Sequence, residues 1–72
     1  MKLLALTPGT MGLCSLACEL FGPETIVPSG WGSPVYVDMA LVDPSDLAAG
    51  LELIQERGRE RGMPISWAEV ER

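Results

Sequence analysis

The chain has 72 residues, a formal net charge of −5, two cysteines and no histidine. That length makes residues 1–72 a single domain, one that buries only about 60–65% of its unfolded surface. The cysteine count excludes a disulfide framework, and five basic residues without a basic stripe argue against a nucleic-acid partner. Apolar residues make up 47% and eight glycines come in addition, whereas the two classes together reach about 45–50% in ordinary domains. A domain this small exposes part of that surplus, and exposed apolar patches mark partner surfaces.

Lys2 to Leu6 opens the chain as a strand, with Leu3, Leu4, Ala5 and Leu6 apolar on both alternating faces. Such a run fits a central strand covered on both sides. Thr7-Pro8-Gly9 breaks it, because proline cannot continue a ladder and glycine tolerates the turn. A helix is expected from near Thr10, since Leu13, Leu16, Ala17, Leu20 and Phe21 share one helical face. Gly22-Pro23 ends it. Ser15-Leu16-Ala17-Cys18 loosely resembles a lipoprotein cleavage box, but Pro8, Gly9 and Gly12 interrupt the run a signal peptide needs. No apolar run reaches the roughly 18–20 residues of a membrane span. The expectation is a cytoplasmic protein without a membrane partner.

Glu24 to Val27 reads as a short strand, which Pro28 assigns to a sheet edge. Pro28 to Pro34 is a loop by composition. Val35 to Val42 is the most regular strand, with Tyr36, Asp38, Ala40 and Val42 on one face and Val35, Val37, Met39 and Leu41 on the other. Asp43 is the expected N-cap of a second helix, Pro44 suits its first position and Asp46 its first turn. Leu47, Leu51, Ile54 and Gly58 form its inner stripe, and Gly62-Pro64 its stop. The tail from Ile65 to Val70 alternates as a strand does, yet Ser66-x-x-Glu69 also spells a helical capping box. The alternation is the better fit.

This order, β-α-β-β-α-β, is that of the ferredoxin-like split βαβ unit. The expected fold is α+β, a four-stranded antiparallel sheet with two helices on one face. Its first and third strands are central, and these are the two most apolar runs. The uncovered sheet face would then carry some of Tyr36, Asp38, Ala40 and Val42.

No catalytic constellation remains outside this frame. There is no histidine base for a serine, threonine or cysteine nucleophile, and Lys2 is the sole lysine. Asp38 has no acid-base partner that the sequence can name. No cofactor is implied. Partner-binding candidates are Trp31, set between two glycines as either a lid folded back on the sheet or an aromatic anchor for a partner, the open-face residues Tyr36 and Asp38, and the acidic ridge Glu52, Glu56 and Glu60.

Two further features carry chemistry. Pro8-Gly9-Thr10-Met11-Gly12 is a small-residue strand-to-helix junction, and the Pro-Gly entering the helix is similar to ACT domains. That resemblance implies a regulatory module binding a small ligand at Gly9, Thr10, Met11 and Gly12. Met11, Cys14 and Cys18 place three sulfurs on one helical face, which suits a soft metal such as Cu(I) or Zn. The setting resembles ferredoxin-like heavy-metal-binding domains, although their Cys-x-x-Cys lies in the loop and here Cys-x-x-x-Cys lies inside the helix. A structural zinc site wants four ligands. A disulfide is not expected, since helical i, i+4 Cβ atoms stand about 5–6 Å apart against the roughly 3.5–4.5 Å that a disulfide needs.

The expected function is that of a small acidic non-enzymatic interaction module. It docks by self-association as a homodimer, or by binding or inhibiting a larger protein as small phage and mobile-element proteins do. The alternatives are the ACT-like ligand module and a soft-metal carrier through Cys14 and Cys18.

Overall fold

Four strands and two helices follow the expected order in the computed structural model, which describes residues 1–30 and 32–72. They are β1 (Lys2–Thr7), α1 (Met11–Phe21), β2 (Ile26–Val27), β3 (Val35–Asp38), α2 (Pro44–Glu60) and β4 (Ser66–Glu71). The sheet runs β2-β3-β1-β4 with every neighbouring pair antiparallel, so β1 and β3 are central. This is the α+β arrangement read from the sequence, and the tail is a strand. β4 pairs with β1 along its whole length, from Thr7–Ser66 to Lys2–Glu71. Six residues of ladder outweigh a capping box that would have ordered only one turn.

Register assigns the faces, because directly paired residues share one side of a sheet. Leu4 pairs with Val37, and Leu6 with Val35 and Trp67. These side chains meet Leu13, Leu16, Ala17 and Phe21 of α1 and Ile54 of α2 in one core. Leu6, Leu13, Leu16 and Ile54 are essentially inaccessible to water, each stabilising the fold by roughly 1.5–3 kcal/mol relative to exposure.

The helix ends follow sequence chemistry. The Thr10 hydroxyl accepts from the Leu13 amide at 3.2 Å, and the Asp43 carboxylate accepts from the Ser45 amide at 3.0 Å. The hydrogen bonds from Ser45, side chain before backbone, hold Asp43 below the usual carboxylate range. Gly62, with φ of 68°, turns the chain out of α2 in the left-handed region that favours glycine.

Two strands are shorter than expected. β3 stops at Asp38 and not at Val42, because the Asp38 carboxylate accepts from the Ala40 amide at 3.0 Å and winds Met39–Leu41 into a 3-10 turn. Ala40 and Val42 therefore leave the sheet. β2 keeps only Ile26 and Val27, since Pro23–Thr25 forms a 3-10 turn after α1.

Glycine allows the helices to close on the core at one point that the apolar stripe did not mark. Gly50 is buried, and a Cβ there would run into the Phe21 ring. Gly12, in the first turn of α1, has only the Thr10 hydroxyl within reach, at 3.9 Å. Two glycine-to-alanine changes should therefore have opposite signs. Gly12→Ala stabilises by up to about 1 kcal/mol through helix propensity. Gly50→Ala loses about 1–3 kcal/mol to overpacking despite the same propensity gain. Urea denaturation of both variants checks this, and equal effects would contradict the packing described.

Candidate functional site

On the sheet face away from the helices, apolar side chains from all four strands assemble. Paired positions put Val27 and Tyr36 there, then Leu3 and Ala5 of β1, then Ala68 and Val70 of β4. Val27, Tyr36 and Val70 are half-buried, and Ala68 is exposed. Polar groups lie at its borders. Thr7 and Ser66 share a hydroxyl–hydroxyl hydrogen bond of 2.9 Å at one end, and Asp38 is tied into the turn that ends β3.

Leu3 is the unexpected member. It faces away from both helices yet is only 1% exposed. Backbone hydrogen bonds join Met1 and Arg72 in both directions, at 2.7 and 2.8 Å, so Arg72 stands level with Met1. The Arg72 guanidinium carbon lies 4.8 Å above the Tyr36 ring centre, and Tyr36 is level with Ala5. A line between the two side chains crosses β1 at Leu3. The pair forms a diagonal strap across β1, a cation–π contact of about 0.5–1 kcal/mol at an exposed site.

Glu52, Glu56 and Glu60 are exposed on α2, in the helical layer, and so do not join Tyr36 and Asp38 on the opposite face of the sheet. They belong to a different surface. The one ion pair between the helices among the described residues is Arg57–Glu19 at 3.7 Å, exposed enough to add little. Trp31 lies outside the described residues.

The ligand residues expected at the β1–α1 junction are partly brought together. Gly9, Thr10 and Met11 line a cleft of about 300 Å³ closed on the far side by Ile26 and Val27, with Cys14 on its wall. Gly12 does not line it. The Thr10 hydroxyl is already engaged, accepting from Leu13 and donating to the Met63 sulfur at 3.5 Å. The cleft thus offers mainly apolar walls and backbone. A Cβ on Gly9 would strike the Ser33 carbonyl, so glycine there lets the junction sit against the loop before β3.

Cys14 and Cys18 are free and half-buried. Burial, then the neighbouring Cys14, pushes the Cys18 thiol above its ordinary pKa, which favours the protonated form over the thiolate a metal takes. Met11, the third sulfur, is 73% exposed. Among the described residues no three histidine, cysteine, aspartate or glutamate side chains are placed to hold a metal ion. Two thiols and a thioether do not complete a zinc site.

Sequence reasoning missed Arg72 and Val70 as members of the open face. The signal was available: Ala68, Val70 and Arg72 share a parity in the tail, but the strand had to be paired with β1 before that parity meant a common surface with Leu3 and Tyr36. No helix is long and apolar enough to cross a membrane among the described residues. Comparisons with known protein families, curated proteins and solved structures give no match for this chain.

The strap has a direct consequence. Tyr36→Phe keeps the ring and should leave stability unchanged, whereas Arg72→Ala uncovers Leu3 and should cost about 0.5–1 kcal/mol. Chemical denaturation of the two variants reads this difference. An Arg72→Ala protein as stable as the parent would show that Leu3 is covered by other means.

Proposed function

We propose that the protein is a non-enzymatic docking module that works by pairing with a second copy of itself through the open sheet face. The observation that carries this reading is the charge of that face. The chain carries −5 overall, yet its open face holds one carboxylate, Asp38, and one guanidinium, that of Arg72, which reaches across β1 to lie over Tyr36. Two acidic molecules repel least where each is neutral. A two-fold axis running along β1 between two stacked faces sets each Tyr36 toward the other copy's Ala68, since both residues stand level with Ala5. The apolar residues between them supply the buried centre that a homodimer uses.

The test is light scattering during size-exclusion chromatography across a concentration series, on the parent and on Ala68→Lys. Ala68 is exposed, so the change leaves the core alone. The parent should run as a dimer at tens of micromolar and the variant as a monomer. A monomeric parent would move the reading to docking on a larger protein. A dimer that survives Ala68→Lys would place the interface elsewhere.

A second reading, the small-ligand regulatory module, is favoured by the cleft at the β1–α1 junction. At about 300 Å³ it lies at the lower end of small-molecule sites. Its walls suit a small apolar amino acid better than an anion. A rise in melting temperature with leucine or methionine at millimolar concentration, absent with glutamate, would support it, and no shift with any of them would remove it.

A further inference from the structure

A second groove opens at the other end of the helical layer. It lies between the end of α1, the 3-10 turn after β3 and the first half of α2, with a volume of about 330 Å³. Leu20, Phe21 and Gly50 form its floor, and Leu41 and Leu53 stand on its sides. These two leucines are 59% and 43% exposed, and are two of the four large apolar residues in the described chain that remain so. The Phe21 ring fills the space a Gly50 side chain would take, so ring and helix backbone together make the floor.

The rim is acidic. Asp43 and Asp46 line the groove, and no lysine or arginine does. Hydrogen bonds from Ser45 lower the Asp43 carboxyl below its ordinary pKa. Lys2 is at the same end of the molecule but belongs to β1 and is not part of the lining. The arginines of α2 begin at Arg57, about 16 Å along the helix from Asp46 at 1.5 Å per residue. That is about twice the screening length of roughly 8 Å at physiological salt. No arginine of α2 therefore neutralises these carboxylates, and the only positive charge their own helix sets beside them is its N-terminal dipole.

We propose that this groove receives a basic amphipathic helix from a partner protein, with one or two aliphatic side chains on Gly50 and Phe21 and a lysine or arginine at Asp43 and Asp46. The volume suits one or two such side chains, as in helix-in-groove recognition. A second copy of this chain fits poorly. Its α2 carries Glu52, Glu56 and Glu60 among Arg57 and Arg59, so it offers no uniformly basic helix face, and its self-complementary surface is the sheet. The two surfaces lie on different sides of the molecule, so occupation of one leaves the other free.

The probe is a short capped peptide of leucine and lysine with leucines spaced for one helical face, together with its glutamate-for-lysine counterpart. Each is titrated into isotope-labelled full chain and followed by amide NMR shifts. The expected result is saturable shifts confined to Leu41, Asp46, Ala49, Leu53 and their neighbours with the lysine peptide only. Affinity should fall at least tenfold in Asp46→Asn and in Leu53→Ser, both changes at exposed side chains. A urea melt of each variant separates loss of binding from loss of fold. If a variant melts early, the parent's affinity at raised salt replaces it, and a tenfold weakening there supports the charge pairing. Equal binding of the glutamate peptide, shifts centred on Tyr36 and Val70, or no saturable shift would each overturn the proposal. Concentration-dependent shifts at Leu41 and Leu53 without peptide would identify a second copy as the occupant and also overturn it. Failure here leaves the dimer reading intact, because that reading is measured at Ala68.

Discussion

β1 is the strand on which the rest of the protein depends. It pairs with two neighbours and buries four consecutive residues, two toward each face. Leu4 and Leu6 meet the helices in the usual way of a two-layer α+β domain. Leu3 and Ala5 face the side that no helix covers, and they are buried all the same. A fold of this size has no second layer to spend on that side. On that side the Arg72 guanidinium lies over the Tyr36 ring, along a diagonal that crosses β1 at Leu3. Long charged side chains shield apolar surface in this manner while the charge stays in water. The cover is thin, and it leaves a nearly neutral, largely apolar face on a strongly acidic molecule.

Much of this architecture was legible in the sequence because its signals were local. The Thr10 and Asp43 caps, the Leu13–Leu16–Ala17 stripe and the apolar run of β1 each announced their element with residues a few positions apart. The ends of β3 and β2 were less legible. Val35 to Val42 alternates without a break, and the strand stops only because the Asp38 side chain captures the Ala40 amide. An aspartate in a strand and an aspartate starting a turn look the same until the backbone is traced. Gly50 was passed over for a similar reason. Its burial depends on Phe21, a residue of the other helix, and no spacing within α2 encodes that contact.

The candidate surfaces were legible to a smaller degree. Tyr36 and Asp38 were found from parity alone. Their companions Leu3, Val70 and Arg72 required the β1–β4 register, which joins residues at opposite ends of the chain. Glu52, Glu56 and Glu60 are exposed along α2 at the spacing of one helical stripe, on a separate side of the molecule. Helical spacing says which residues share a stripe and not what that stripe faces. The same limit hid the groove between α1 and α2, whose walls come from three elements.

Self-pairing through the open face is tested most directly by intermolecular nuclear Overhauser effects. The sample is an equal mixture of isotope-labelled and unlabelled chain, filtered so that only contacts between copies appear. Contacts from the Ala68 and Val70 methyl groups to the Tyr36 ring of the other copy are the predicted result. Intermolecular contacts confined to Leu41, Leu53 or the outer face of α2, or a spectrum with none, would contradict it.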